Sequence, residues 1–413
     1  MNNKKFIFLF SILFLLFVCV ASVLAQVIIQ CPTQNGGKVR GDLDGDGAIR
    51  AADGEITKPI YPNQVCIHLA AGDGFINMAD KSLYPPSGYS QYIFGFSNVT
   101  GIPADQVMME GMLKAELPAP TITVKEGDKL YLTLTNVGMM MRPDLFDPHS
   151  VHWHGFPNAS TIFDGEPMAS ISINMGSSLT YFYNVVEPGT FMYHCHVEAT
   201  EHMQMGMLGN LYVIPVQDGT AYTYNGRTYT KFAYNDMDGS TGYDVTYPIQ
   251  IHAFDPNFHD ASINVQPLNF AGIFDSYSML NGRGYPDTIN TSPLANSETG
   301  NFSQKVHSLI TATQGQRILL RISNLSFDYY TLSILGIPMK VVGKDAKLLK
   351  GPDGKDLSYY TSSVDLGGGE TTDVILDTAG ISPGRYFLYT TNLNYLSNNT
   401  QERGGIMTEI AIN

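Results

Sequence analysis

Residues 194–207 read His-Cys-His-Val-Glu-Ala-Thr-Glu-His-Met-Gln-Met-Gly-Met, and residues 149–155 read His-Ser-Val-His-Trp-His-Gly. Together these two stretches hold six of the chain's ten histidines. Side chains alternate between the two faces of a β-strand, so His152 and His154 share one face. The same holds for His194 and His196, while Cys195 between them points to the opposite face. Two adjacent strands would therefore gather four imidazoles on one face of a sheet.

The opposite face carries a second set of potential ligands. There the thiol of Cys195 would meet His149, His202 and a thioether. One thiolate, two imidazoles and a weak axial methionine are the ligands of blue-copper electron-transfer sites. Met207 is the best axial candidate, ahead of the two nearer methionines, because it lies five residues after His202. The pattern predicts a type-1 copper site. The covalent bonds from Cys195 to its neighbours His194 and His196 offer electrons a path from this copper to the imidazoles. Core packing of ordinary histidines and a cysteine, the alternative, requires no such arrangement.

Strand-like sequence extends from Tyr92 to the C-terminus. Short β-branched and aromatic runs alternate with Gly, Asn and Asp turns, which is typical of β-sandwiches. These runs are residues 121–124, 129–134, 179–183, 317–322, 339–342, 372–376 and 385–389. We expect an all-β chain with two similar sandwiches in tandem. The expected divisions are a signal peptide at 1–25, an N-terminal segment at 26–85, a copper-binding sandwich at 86–216, a linker at 217–242 and a second sandwich without copper motifs at 243–413.

The N-terminus resembles an export signal. Lys4 and Lys5 precede an apolar run at residues 6–20, and small residues at 23–25 suit cleavage before Gln26. An uncleaved membrane anchor is the alternative, but the run is short for a span. We therefore expect a secreted protein, periplasmic or extracellular, that has no membrane association after cleavage. The formal net charge of −14 argues against nucleic acid and anionic membranes as partners.

The cysteine count supports a metal-bound thiol. Once Cys19 leaves with the signal, three cysteines remain, so one is free, cross-linked to a partner or metal-bound. Cys31 and Cys66 flank a small segment, and export favours a disulfide between them. The remaining residue is Cys195, which the motif selects independently.

An acidic loop precedes the strands. Residues 42–53 read Asp-Leu-Asp-Gly-Asp-Gly-Ala-Ile-Arg-Ala-Ala-Asp, with carboxylates at loop positions 1, 3, 5 and 12 and glycine at position 6. This spacing predicts one Ca²⁺ site of the dockerin type, and a degraded second copy follows at 73–80. A surface loop that binds nothing is the alternative. The predicted calcium ligands are Asp42, Asp44, Asp46 and Asp53.

The copper motifs resemble those of the multicopper oxidases, the family of laccases, ascorbate oxidases and bilirubin oxidases. The resemblance covers about residues 92–413, with further matches at residues 120–128, 188–194, 281–286 and 315–324. It implies that both sandwiches are Greek-key cupredoxin domains. It also implies a copper-dependent oxidoreductase, which takes single electrons from a small-molecule or protein donor and passes them to a copper cluster with O₂ as acceptor.

The resemblance also assigns roles to individual residues. The implied type-1 ligands are His149, Cys195, His202 and Met207, the type-2 ligand is His152, and the type-3 ligands are His154, His194 and His196. Asp164 resembles the acidic residue that feeds protons to the family's cluster. A turn residue before Gly165 is the alternative interpretation of Asp164.

The chain departs from the family in its histidine count. The family binds three coppers with four His-x-His motifs, whereas this chain has two, and His252, His259 and His307 in the second sandwich are unpaired. An oxidase would then need ligands from another chain, so we expect a homo-oligomer. One solution is a two-fold interface that joins two copies of the imidazole set. The family's two-domain members suggest a cyclic trimer instead, but there the neighbour's second domain supplies histidines that are lacking here.

Three other functions remain open from the sequence. An electron-transfer or copper-binding protein would use the blue copper alone. A copper nitrite reductase would share the two-domain layout, but the corresponding stretch at residues 389–392 reads Tyr-Thr-Thr-Asn, with threonine where such enzymes place a third type-2 histidine. Copper sequestration is suggested by the methionines at 139–141, since thioethers suit Cu(I), although methionines more often pack in cores.

Overall fold

The computed structural model describes Cys31 and residues 63–78, 89–157, 159–399 and 401–413. These residues form mostly β-strands, which confirms the all-β prediction. The strands of the first sandwich are β1 Gln64–Met78, β2 Tyr89–Asn98, β3 Ala119–Lys125, β4 Lys129–Gly138, β5 His152–His154, β6 Ser178–Asn184, β7 Gly189–His194 and β8 Leu208–Ile214.

Two sheets enclose the core of the first sandwich. One sheet has the strand order β2-β1-β4-β6 and the other has the order β3-β8-β7-β5. In β4, Leu130, Leu132 and Leu134 recur at every second position and are fully buried, as a sheet with one face on the core requires. Tyr181 and Tyr183 of β6 face the same core.

Strand β1 corrects the expected boundary at residue 85, which separates an N-terminal segment at 26–85 from the first sandwich. β1 pairs in parallel with β4 and antiparallel with β2, so it is an inner strand of the first sheet. Gly72 and Gly74 concealed it, because glycine inside a strand is unusual unless another segment approaches closely. A Cβ at Gly72 would lie 2.7 Å from Val137, and one at Gly74 would lie 3.0 Å from Ala115.

The predicted second copy of the calcium loop begins inside this strand. Asp73 is fully buried, and its carboxylate accepts hydrogen bonds from the hydroxyl of Tyr92 at 3.0 Å and the N–H of Met141 at 2.8 Å. Asp73 is therefore a structural residue of β1 and not part of a calcium loop.

The second sandwich repeats the topology of the first. Its sheets have the orders β12-β11-β16-β22-β18-β19, with β20 also paired to β18, and β15-β24-β23-β17-β21. In both sandwiches the parallel pairs fall at the same places in this order. The strands are β11 Val245–Phe254, β12 Tyr277–Leu280, β13 Leu294–Ala295, β14 Phe302–Gln304, β15 Ile310–Ala312, β16 Arg317–Asn324, β17 Tyr330–Ile334, β18 Met339–Lys344, β19 Lys347–Leu348, β20 Tyr359–Thr361, β21 Ser363–Leu366, β22 Thr371–Asp377, β23 Gly384–Thr390 and β24 Met407–Ile412.

The predicted linker at 217–242 is folded. It contains a hairpin of two short strands, and Ala233 and Tyr234 pack against Leu319 and Val342 of the second sandwich. The hairpin strands, which bear the labels β9 and β10, are Tyr222–Tyr224 and Arg227–Tyr229.

The helices in the described residues are short. They are α1 Val107–Gly111, α2 Ala199–Gln204 and α3 Pro256–Ile263, with 3₁₀ turns at Thr161–Phe163, Phe270–Gly272, Asp287–Ile289 and Leu393–Leu396. None of these helices has the length and apolar character that crossing a membrane demands. A disulfide joins Cys31 to Cys66, which confirms that pairing.

The two sandwiches meet along β7. The hydroxyl of Thr190 donates a hydrogen bond to Asp373 at 2.6 Å and accepts one from Arg321 at 2.9 Å. The hydroxyl of Thr371 donates to the backbone carbonyl of Thr190 at 2.9 Å. All four side chains are buried, so the second sandwich fixes the strand that ends at His194.

Candidate metal centre

The pairing of β5 with β7 brings the two histidine motifs together. His152 lies opposite His194, and His154 lies opposite Met192. Cys195 follows directly after β7, and the chain then turns into α2, which carries His202. Two groups of potential metal ligands result among the described residues, each with its donor atoms within 4.8 Å of one another. They are His149, Cys195 and His202, called the thiol site below, and His152, His154 and His194.

The thiol site is completely buried. The Sγ of Cys195 lies 3.3 Å from Nδ1 of His202 and 3.9 Å from Nδ1 of His149, and each of the three residues has no exposed surface. The N–H of Ser150 donates a hydrogen bond to the sulfur at 3.4 Å. One sulfur and two Nδ1 atoms therefore converge in a dry pocket.

Protein contacts hold these ligands in place. His149 exchanges two backbone hydrogen bonds with Ile173, at 3.0 and 2.8 Å. The ring of Phe94 meets that of His202 edge-on, with the centroids 5.8 Å apart. Burial holds the pKa of His149 well below its usual range, so its imidazole is neutral, the form that binds metals.

Met207 is tied to both ends of the thiol site. Its N–H donates to the carbonyl of His202 at 2.9 Å, and its carbonyl accepts from the N–H of Cys195 at 3.1 Å. The side chain is fully buried in the same core cluster as Cys195. One thiol, two imidazole nitrogens and a buried thioether fit the donor set of type-1 copper.

The second group belongs to the imidazole face, defined as His152, His154, His194 and His196. Nδ1 of His154 lies 3.2 Å from Nε2 of His194. The ring centroid of His152 lies 5.2 Å from that of His194 and 5.0 Å from that of His196. Burial lowers the pKa of His194 to about 3, so this imidazole is neutral and free to bind a metal.

Asp164 lies beside the imidazole face. Nδ1–H of His152 donates to the backbone carbonyl of Asp164 at 2.7 Å, and a carboxylate oxygen of Asp164 lies 3.5 Å from the same nitrogen. The chain reverses at Gly165, which has φ +77°, and a Cβ there would overlap the carbonyl of Val151. Asp164 thus combines a turn position with contact to a candidate ligand, and its role in proton transfer stays a prediction.

Two family models, both described as multicopper oxidase, match the chain over residues 99–218 and 270–411, together more than half of its length. The chain belongs to the multicopper oxidase family.

Individual relatives agree with this membership. The putative laccase-17 of Oryza sativa subsp. japonica is 26% identical over 284 residues, which cover 67% of this chain and 42% of that protein. Laccase-2 of the same plant is 27% identical over 308 residues, covering 72% of this chain and 45% of the relative. This multicopper oxidase chain therefore spans less than half the length of the laccases it matches.

The fold is shared with solved structures. The blue copper oxidase from Nitrosomonas europaea has a TM-score of 0.61 and 23% identity, with 84% of this chain and 86% of that chain covered. Its similarity confirms the cupredoxin-like sandwiches that the motifs implied.

This family member lacks the imidazole set in its second sandwich, and strand register shows what replaces it. In the first sandwich, β7 pairs with β8 so that Gly189 lies opposite Val213 and His194 lies opposite Leu208. In the second sandwich, β23 pairs with β24 in the same way, with Gly384 opposite Ile412 and Tyr389 opposite Met407. Ser333 lies opposite Tyr389, as His152 lies opposite His194. The equivalents of His152, His154, His194 and His196 are accordingly Ser333, Leu335, Tyr389 and Thr391.

The three histidines of the second sandwich lie outside both ligand groups. His259 is buried with both ring nitrogens at backbone carbonyls, 2.6 Å from that of Tyr92 and 3.0 Å from that of Gln204. His252 is buried and accepts from the N–H of Gly282 at 3.3 Å. His307 belongs to neither group.

Two residues near the sites could not be found from local motifs. A carboxylate oxygen of Asp147 lies 3.9 Å from Nε2 of His202, on a ring edge that faces away from Cys195. Gly369, from the second sandwich, lies against the ring of His154, where an added Cβ would be 2.9 Å from Nε2. The only sequence signal for Asp147 was its position two residues before His149. The only signal for Gly369 was its place in a run of three glycines.

The predicted calcium ligands lie outside the described residues. Asp42, Asp44, Asp46 and Asp53 all fall between Cys31 and residue 63. The calcium site therefore stays a prediction, as does the signal peptide at residues 1–25.

Proposed function

We propose that this protein is a secreted copper-dependent oxidoreductase whose type-1 copper is held by His149, Cys195, His202 and Met207. The observation that carries the proposal is the convergence of one buried sulfur and two imidazole nitrogens within 4.8 Å. Copper bound there supplies one-electron redox chemistry at a potential that its ligands and their surroundings tune. The rigid, buried ligands limit the rearrangement that accompanies a change of charge at the site.

Electrons leave the thiol site through the protein chain in this proposal. Cys195 is covalently joined to His194, whose Nδ1–H also donates to the carbonyl of Cys195 at 2.8 Å. This hydrogen bond leaves Nε2 of His194 free for a metal on the imidazole face. One residue pair therefore links the two candidate sites.

The imidazole face is the proposed second copper site, where electrons reach the acceptor, which we propose to be O₂. Side-chain contacts support a polar route to this face, since the carboxylate of Asp164 is partly exposed and lies beside His152. We propose that Asp164 moves protons between solvent and this face, while its backbone carbonyl fixes the tautomer of His152.

A cavity beside α2 is the proposed docking place for the electron donor. It has a volume of about 1050 Å³ and is lined by Thr200 of α2 and by Phe274, Asp275, Phe327 and Tyr395, among others. The side chain of Gln204, also in α2, donates to Asp275 at 2.9 Å, so the cavity wall is coupled to the helix that carries His202. Aromatic walls with two carboxylates, Asp275 and Asp328, suit a small aromatic reductant better than a large protein donor.

An electron-transfer protein without oxidase activity is the second candidate, favoured by the absence of paired histidines in the described part of the second sandwich. An oxygen electrode run beside sedimentation velocity separates the two. The oxidoreductase is expected to consume O₂ with an aromatic reductant, whereas an electron carrier would show its colour but no O₂ uptake in any assembly state. Homo-oligomer formation stays a prediction that the same sedimentation data test.

A further inference from the structure

The imidazole face differs from a site for three coppers in its ligand count. Four imidazoles cannot enclose three ions that each need about three such ligands. Register places Ser333, Leu335, Tyr389 and Thr391 at the equivalent positions of the second sandwich. A neighbouring copy of that sandwich would offer the same four side chains. The trinuclear centre that the family implies therefore does not fit the residues of this protein.

Only three of the four imidazoles converge. Each of His152, His154 and His194 offers one nitrogen within 4.8 Å of the others. His196 is not in this group. Its ring centroid lies 5.0 Å from that of His152, nearer than the 5.9 Å between the centroids of His152 and His154, so His196 is distinguished by its donor nitrogens and not by the position of its ring. The geometry therefore favours His152, His154 and His194 as ligands and leaves out His196.

Hydrogen bonds decide which nitrogen each ring presents. Carbonyl oxygens only accept, so the bonds to the carbonyls of Asp164 and Cys195 place a proton on Nδ1 of His152 and of His194. Their Nε2 atoms keep free lone pairs. Nδ1 of His154 lies 3.2 Å from Nε2 of His194. With metal–imidazole bonds of about 2.0–2.1 Å, two nitrogens on one tetrahedral ion lie about 3.3 Å apart, so this spacing suits a single shared ion.

The second sandwich closes this site with backbone. Gly369 lies against the ring of His154 on its Nε2 side, away from His194. The glycine loop is anchored by Asn324, whose carbonyl accepts from the N–H of Gly369 at 2.8 Å and whose side chain donates to Leu366 at 3.1 Å. The loop therefore lies between the Nε2 side of His154 and any second chain that approaches this edge of the imidazole face.

We propose that the imidazole face binds one copper ion per chain, through Nε2 of His152, Nδ1 of His154 and Nε2 of His194. Gly369 closes the site above His154, and His196 is not a ligand. Each chain thus holds two coppers, one at the thiol site and one at the imidazole face. The identification of the metal as copper rests on the proposed function.

Copper content and electron paramagnetic resonance of the full-length, copper-loaded protein test the proposal, at a dilution where sedimentation shows monomer. The expected result is two coppers per chain, both paramagnetic, one with type-1 and one with type-2 hyperfine splitting. Three or more coppers with a resonance-silent pair would overturn the single-ion site but leave the oxidoreductase proposal intact. A single type-1 copper would overturn the second site and, with it, the proposed oxidoreductase.

Two histidine variants distinguish a residue that binds the second copper from one that does not. His154→Ala is expected to lose the type-2 signal and one copper, while His196→Ala keeps both. Equal loss in the two variants would contradict the three-ligand site, because a larger cluster needs all four imidazoles. The visible band of the thiol site serves as the internal control for folding in both proteins.

The role of Gly369 has its own matched control. Gly369→Ala is expected to weaken binding of the second copper about tenfold, since the new Cβ would displace His154, and supporting contacts of metal ligands have effects of this size. Gly380→Ala has a similar positive φ, +80° against +88°, but its Cβ would meet no atom within 4 Å. Gly380→Ala should therefore keep the second copper. Equal affinity in the two variants would refute the closing role of Gly369.

Discussion

The carboxylate of Asp147 lies 3.9 Å from Nε2 of His202, the nitrogen that does not face Cys195. Partners of the outer nitrogen orient a ligand histidine and increase its donor strength. A negative charge at this position also stabilises the more highly charged, oxidised metal. Asp147 therefore belongs to the environment that sets the potential of the proposed type-1 copper.

Asp147→Asn is expected to raise the reduction potential of the type-1 copper, because it removes that charge. An increase on the order of 60 mV corresponds to a tenfold change in a one-electron equilibrium. Spectroelectrochemistry of the visible band measures it. The matched control is Asp144→Asn, since the Asp144 carboxylate bonds to Arg142 instead. A lower potential in Asp147→Asn, or equal shifts in both variants, would argue against the role of Asp147.

The product of O₂ reduction follows from the copper count. A chain with two coppers stores two electrons, enough for O₂ + 2e⁻ + 2H⁺ → H₂O₂ but not for four-electron reduction to water. Catalase added at the end of a turnover experiment in an oxygen electrode should return about half of the consumed O₂. No return of O₂, with four electrons from the reductant per O₂, would be inconsistent with two independent coppers per chain.

The aromatic cavity makes a prediction about the electron donor. Phe274→Ala should raise KM for a small aromatic reductant about fivefold, with little change in kcat. A fivefold change corresponds to the loss of one aromatic contact of ~1 kcal/mol. Phe302→Ala removes an exposed phenylalanine outside the cavity and should leave KM unchanged. An unchanged KM in Phe274→Ala would place reductant docking elsewhere, for example at a protein interface.

The predicted calcium loop can be tested independently of copper. Calorimetric titration of the full-length protein should show one Ca²⁺ bound, and Asp46→Ala should abolish the heat because it removes the carboxylate at loop position 5. The copper spectrum should be the same in both proteins. A parent protein without calcium-dependent heat would reduce residues 42–53 to an acidic surface segment.

Local periodicity predicted the parts of the sites that lie within single strands. Alternation predicted that His152, His154 and His194 lie on one face of two adjacent strands, and β5 does pair with β7. The odd number of cysteines together with export led to the Cys31–Cys66 disulfide. Strand β1 was missed because its glycines are explained only by the close approach of Ala115 and other residues from distant segments.

Contacts between the two sandwiches could not be predicted from the sequence either, because they also join residues that are distant in the chain. No sequence pattern near Gly369 predicts a contact with His154. The contact depends on how one sandwich packs against the other along β7. The number of histidines revealed the departure from the family. Only the structure shows that the donor nitrogens of His152, His154 and His194 converge without those of His196.

The charge-transfer band from thiolate to copper is the most direct test of the central claim, that Cys195 holds a type-1 copper together with His149 and His202. The copper-loaded protein is predicted to show an intense blue or green band in its oxidised form. In copper-loaded Cys195→Ser the band should vanish while the circular dichroism of the β-sandwiches is retained. A Cys195→Ser protein that keeps its colour, or a copper-loaded parent that has none, would contradict the account.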